Sequence, residues 1–212
     1  FQVKNNSKVI KKDINYLLNL NNELINSLKK NYKFSYKKKL IQKYKKFSNV
    51  RIFGMGGSIL GTQAIYDFLK HKIKKKFYFI NNLKSFTKNQ NTHNFLNLIV
   101  SKSGNTTETI VNANLCIKKK QENIFITENK KSYLHILAQK LKSEIVHHNN
   151  YIGGRYSVLS EVGMLPAELM GLSSNKFKQL NNLIKNKKFL NNLITNVQAI
   201  LFFQKKKKFN SV

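Results

Sequence analysis

Three short stretches of this sequence bring together residue types that could do chemistry. The first, Ser101-Lys102-Ser103-Gly104-Asn105-Thr106-Thr107-Glu108-Thr109, follows the apolar run Leu96 to Val100 and precedes an amphipathic one. Hydroxyls beside free backbone amides, at the positive end of a helix, suit a phosphomonoester with no metal required. The same residues also allow a plain helix start, with Asn105 as the cap and Glu108 reaching back three residues later. That simpler reading leaves the surplus of Ser101, Ser103, Thr106 and Thr107 unexplained. The second stretch is Gly54-Met55-Gly56-Gly57-Ser58-Ile59-Leu60-Gly61, between an apolar run and a helical one. Its glycines permit a tight turn and a close backbone approach to a ligand, or only the turn. It is not a dinucleotide fingerprint, since Ile59 occupies the third glycine position and the next strand runs into Asn81 and Asn82 without an acidic residue. Nor is it a Walker loop, for it lacks Gly-Lys-Ser/Thr.

The third stretch is Tyr151-Ile152-Gly153-Gly154-Arg155-Tyr156-Ser157-Val158-Leu159-Ser160. A double glycine before an arginine puts a guanidinium where backbone can come close to a bound molecule; the plainer alternative is a surface arginine in a turn. Composition bears on that choice. The chain of 212 residues has 39 Lys+Arg against 9 Asp+Glu, a formal charge of +30, yet only Arg51 and Arg155 are arginine. Where lysine is the default cation, a position that holds arginine points to a need for a planar, multi-donor group. The lysines and the many asparagines are spread through every region, so the charge reads as a compositional habit and not as a nucleic-acid footprint. No nucleic-acid or membrane partner is expected, because the apolar runs fall far short of the roughly 20 residues of a span. A lone Cys116 excludes an intrachain disulfide and a cysteine-built zinc site, which fits the cytoplasm. His71, His93, His135, His147 and His148 show no metal-binding spacing, and no metal or cofactor is expected.

The elements that must position these stretches follow from periodicity. Val50 to Phe53, Phe77 to Ile80, Leu96 to Val100, Ile124 to Ile126 and Ile145 to Val146 read as buried strands. Ile59 to Leu69, Thr106 to Ile117 and Tyr133 to Leu141 read as helices between them. Strands alternating with helices predict an α/β fold, a doubly wound five-stranded parallel sheet covered on both faces. Its carboxyl edge is where such sheets bind ligands. Before it, Asp13 to Lys29 and Tyr36 to Lys46 predict helices. After it, helix is expected from Leu165 onward, with Pro166 in a first turn and Leu180, Leu183 and Ile184 at helical spacing. The divisions are thus a helical segment over 1–47, the α/β domain over 48–172 and a second helical segment over 173–212. The start at Phe1 and the lysine run Lys205 to Lys208 near the end suggest a fragment.

The three stretches, in this order and spacing, resemble the glucose-6-phosphate isomerase family over about residues 48 to 171. Gly153 to Leu159 is the most specific part. The resemblance implies a first sugar-isomerase (SIS) domain and the interconversion of glucose 6-phosphate and fructose 6-phosphate through an enediolate. It implies Gly57 and Ser58 against the sugar, Ser101, Lys102 (by its backbone), Ser103 and Thr106 around the phosphate, and Arg155 beside the reacting carbons. A homodimer with the active site near its interface is also implied. Glu161 departs from the small residue of the family and lies close enough in sequence to pair with Arg155. The family base is a glutamate farther downstream, whereas only Glu161 and Glu168 follow Arg155 here. The chain is therefore expected to bind hexose 6-phosphates without efficient turnover. A non-catalytic sugar-phosphate-binding domain and a dual glucose and mannose phosphate isomerase are the alternatives.

Overall fold

Each of the five apolar runs forms a strand. In the computed structural model, which describes residues 7–83, 94–118 and 121–205, β1 spans Asn49–Phe53, β2 Lys76–Ile80, β3 Phe95–Val100, β4 Glu122–Thr127 and β5 Glu144–His147. Every pairing is parallel, in the order β2-β1-β3-β4-β5. Parallel neighbours need crossover connections. Helix α4 (Leu60–Leu69) joins β1 to β2, α5 (Thr107–Cys116) joins β3 to β4, and α6 (Tyr133–Lys140) joins β4 to β5. The chain winds outward from β1 to β2 and then resumes at β3 on the other side. Loops after β1 and β3 therefore diverge, and a crevice opens between them at the carboxyl edge.

Side chains alternate across the strands, so each face buries its own set. Val50, Ile52, Leu96, Leu98, Val100, Ile124 and Ile126 form one core with Ile65 of α4 and Met164 and Leu165 of the later helix α7 (Glu161–Leu169). Phe53, Ile99 and Phe125 form the other with Ala113, Cys116, Leu134 and Ala138. The second face also buries a polar ladder. Arg51, Asn97 and Asn123 stand in register on β1, β3 and β4. The Arg51 guanidinium donates to Asn97 Oδ1 at 2.9 Å and Gln121 Oε1 at 3.0 Å, and lies 4.5 Å from the Phe95 ring centre. Several donors in one plane and a flat face for the ring are what lysine lacks.

Helix boundaries depart from the periodicity where side chains bond to the backbone. The stretch Asp13 to Lys29 is two helices, α1 (Ser7–Asn19) and α2 (Glu23–Ser27). Asn22 Oδ1 accepts from Ile25 N at 2.8 Å and so starts α2 afresh; short polar side chains offer the backbone that alternative to helix. The next helix is shorter than Tyr36 to Lys46: α3 spans Lys38–Tyr44. The late helix begins at Glu161, not Leu165, because Ser160 caps it through Val162 N. Pro166 thus lies inside the helix instead of in its first turn. It is followed by α8 (Ser174–Phe177), α9 (Leu180–Ile184) and α10 (Lys187–Lys205), the last packing against α1.

A proline inside a helix removes the amide that would serve the carbonyl four residues back. That carbonyl is Val162 O, and the buried Thr62 hydroxyl of α4 donates to it at 3.0 Å. Thr62→Val should therefore leave a buried acceptor unserved and cost about 1 to 3 kcal/mol in urea unfolding. In a Pro166→Ala background the restored amide serves Val162 O, and the same substitution should cost less than half as much. Equal costs in both backgrounds would show that Thr62 does not compensate for the proline.

Candidate functional site

The loop after β3 packs its hydroxyls together. Ser101 Oγ lies 2.9 Å from Thr106 Oγ1 and 3.4 Å from Ser103 Oγ, and Ser103 Oγ lies 3.5 Å from Thr106 Oγ1. Gly104 turns the loop with φ of +67°, and a Cβ there would collide with Ser132 Oγ. That left-handed conformation is natural to glycine. Thr106 is the N-cap of α5 but makes no side-chain capping bond. Its hydroxyl is turned into the cluster, so the first amides of the helix keep no capping side chain. Asn105, expected as that cap, instead accepts from Tyr133 N at 2.9 Å and fastens the loop to the start of α6. The Glu108 capping box is likewise not formed. The result is a hydroxyl cluster beside an uncapped, positive helix end, the arrangement that favours an anion.

Within the cluster the roles separate. Ser101 is buried and accepts from Gly104 N at 3.2 Å, so it stands behind Thr106 and holds it. Ser103 is exposed and Thr106 half-buried, which leaves their hydroxyls outermost. The Lys102 side chain is drawn away: its Nζ donates to Asn150 O at 2.6 Å and lies 3.6 Å from Glu128 Oε1. Only its backbone stays with the loop.

The other two stretches meet this loop through backbone. A Cβ on Gly57 would overlap Gly154 O and stand 3.1 Å from Arg155 N, so the two loops touch at a point where only glycine fits. Ser157 Oγ locks the contact, with Gly57 O at 3.1 Å and Gly154 O at 2.7 Å. On the other side a Cβ on Gly54 would stand 3.2 Å from Val100 O, next to Ser101. The three loops are therefore contiguous at the carboxyl edge, around the crevice between β1 and β3. Ser58 is half-buried in the first of them, and Arg155 is exposed on the last.

Glu161 does not pair with Arg155. It is fully buried, accepting from Tyr32 Oη at 2.9 and 3.2 Å and from Ser35 N at 3.0 Å. Burial, then the Glu161 carboxylate, raise the Tyr32 phenol well above its ordinary range, so it remains a donor. Residue types gave no signal for this pair, because its members lie 129 positions apart. Glu168 is also engaged, accepting from Ser174 Oγ at 2.5 Å. Of the histidines, His147 is exposed with its ring stacked 6.5 Å from that of His135, and His148 is buried, where desolvation lowers its pKa. His93 lies outside the described residues. Among the described residues no cluster of three or more His, Cys, Asp or Glu could hold a metal, and no helix is long and apolar enough to cross a membrane.

An open parallel sheet with an anion-receptive hydroxyl loop at its switch point defines an α/β domain whose carboxyl edge suits an anionic ligand. The phosphoglucose isomerase family profile matches residues 4–199, and the chain belongs to that family. It is 34% identical over 157 residues to the glucose-6-phosphate isomerase of Acholeplasma laidlawii, covering 65% of this chain and 37% of that protein. Against the Methanocaldococcus jannaschii glucose-6-phosphate isomerase it is 34% identical over 172 residues, covering 72% and 42%. The chain thus spans about two fifths of the length of these relatives. Among solved structures, a hypothetical protein of Thermus thermophilus superposes with a TM-score of 0.70 at 16% identity, covering 94% of this chain and 53% of that one. An Escherichia coli protein gives 0.52 at 14% identity, covering 87% and 96%. At such identities these two structures speak to the fold alone.

The Gly57 contact yields a stability test. Gly57→Ala forces a methyl against the Gly154 carbonyl, and overpacking of this kind costs about 1 to 3 kcal/mol. Denaturant unfolding of the variant should show that loss. An unchanged midpoint would mean the two loops are not in contact.

Proposed function

We propose that the chain forms the phosphate-binding and oxyanion-stabilising part of a glucose-6-phosphate isomerase, which interconverts glucose 6-phosphate and fructose 6-phosphate. The observation that carries this reading is the Ser103–Thr106 hydroxyl pair beside the uncapped start of α5, contiguous with the loop that bears Arg155. Ser103, Thr106 and the backbone of Lys102 would hold the phosphate, with Ser101 orienting Thr106. Gly57 and Ser58 would face the sugar.

In aldose-ketose isomerisation a base moves a proton between C1 and C2, and negative charge gathers on the oxygens of an enediolate. A fixed guanidinium near those oxygens is worth more in the transition state than in the ground state. Arg155 suits that role, since it is exposed at the crevice, and Glu161, the nearest carboxylate in sequence, is bonded to Tyr32 and Ser35 instead. With Glu168 held by Ser174, the two carboxylates after Arg155 are both engaged elsewhere, and the reading gives the proton transfer to neither. The reading assigns no cofactor, treats residues 48–172 as the first sugar-isomerase domain, and extends to a cytoplasmic homodimer.

Hydrogen bonds to a charged group contribute about 1.5 to 3 kcal/mol each. Replacing both outer hydroxyls, Ser103→Ala with Thr106→Ala, should weaken fructose 6-phosphate binding at least tenfold by calorimetry while the circular dichroism spectrum is kept. Undiminished affinity in the folded double variant would end the phosphate assignment.

A further inference from the structure

The segment from His147 to Glu161 carries Arg155 on a loop, and both ends of that loop are tied to the same two residues far upstream. Tyr32 Oη donates to Glu161 at the far end and accepts from Asn149 Nδ2, at 2.7 Å, at the near end. Ser35 repeats the pattern: its backbone N donates to Glu161 Oε1 at 3.0 Å and its Oγ to His147 O at 2.5 Å. Tyr32 is itself held from behind, since Lys178 Nζ sits 4.1 Å from its ring centre and donates to Ser27 O at 2.9 Å. Burial of that ammonium pushes its pKa down to about 8. A buried carboxylate is costly unless its oxygens are served, and here three bonds from two neighbouring residues serve them.

We infer that Tyr32, Ser35 and Glu161 form a strap that closes the base of the Arg155 loop and fixes where its guanidinium stands. This rests on the reading of Arg155 as the enediolate-stabilising group. It assigns Glu161, a departure from the small residue expected at this point, to positioning and not to proton transfer. The phosphate loop lies outside the strap: Lys102 reaches Asn150 O and Glu128, and among the described residues Ser101, Ser103 and Thr106 bond to none of Tyr32, Ser35 and Glu161. Loosening the strap should therefore disturb what Arg155 touches and spare what Ser103 and Thr106 touch.

Tyr32→Phe tests this, because the ring under Lys178 and the Ser35 N bond to Glu161 are kept while the three hydroxyl bonds are lost. Amide hydrogen exchange at Ile152 and Tyr156, whose amides are bonded within the loop to Asn149 O and Gly153 O, should accelerate about tenfold with β3 and β4 unchanged. Glu161→Leu should do the same, whereas Glu161→Gln, which keeps an oxygen facing Tyr32 and Ser35, should remain close to wild type. Two ligands then read the site. Inorganic phosphate should bind Tyr32→Phe within twofold of wild type. A five-carbon aldonic acid 5-phosphate, whose carboxylate stands for the enediolate oxygens, should bind about tenfold more weakly, and Tyr32→Phe should add less than twofold to Arg155→Ala.

Unchanged exchange, or acceleration spread over the whole sheet, would overturn the strap. Local acceleration with undiminished affinity for the acid phosphate would overturn its positioning role. A wild-type chain that binds neither ligand would instead overturn the isomerase reading, while the exchange data still decide whether the strap exists.

Discussion

The contact between Gly57 and Gly154 sets the arrangement of everything around it. Two loops from strands at different points in the chain meet backbone to backbone, and a methyl on Gly57 would penetrate the Gly154 carbonyl. The contact explains the glycine at position 57, whereas a Cβ on Gly154 would meet open space. Its geometry also depends on the sheet: β3 and β4 lie between β1 and β5, so the segment after β5 must cross the carboxyl edge to bring Gly154 to Gly57. Ser157 reinforces the contact by donating to both glycine carbonyls. Arg155 is the next residue along, so the close approach places its backbone beside Gly57 with its side chain exposed.

Charge acts locally in this protein despite the overall excess of +30. Buried Arg51 serves the sheet as a multi-donor cation with no carboxylate bonded to it among the described residues, and desolvation lowers its pKa. Exposed Arg155 has no such network among the described residues. The two arginines thus share the planar chemistry that lysine lacks, which Arg51 uses for bonds within the sheet and which the proposed function gives Arg155 to face a ligand. The anion-receptive end of α5 needs no lysine side chain, for Lys102 points its ammonium at Asn150 and Glu128.

The strands were legible because each is a short apolar run, and even the two residues Ile145 and Val146 sufficed to locate β5. The three loops were legible from residue type and spacing. Helix starts were less so, since side-chain bonds to the backbone decide them: Asn22 restarts α2, Ser160 begins α7 ahead of Pro166, and Asn105 serves α6 instead of its own helix. Ser101 shows a second limit: its residue type suggests a ligand contact, and its burial behind Thr106 is set by the fold and not by the local sequence. Glu161 shows the third. Its pairing with Tyr32 spans 129 positions, and no local pattern encodes a bond across that distance.

Whether the three loops make one site is observed directly by a ligand titration. Fructose 6-phosphate added to the isotopically labelled chain should shift the backbone amides of Gly57, Ser103, Thr106 and Arg155 together, with a single dissociation constant fitted to all of them. Shifts confined to Ser103 and Thr106, with Gly57 and Arg155 unmoved at saturation, would leave a phosphate loop with no sugar site beside it and contradict the single site.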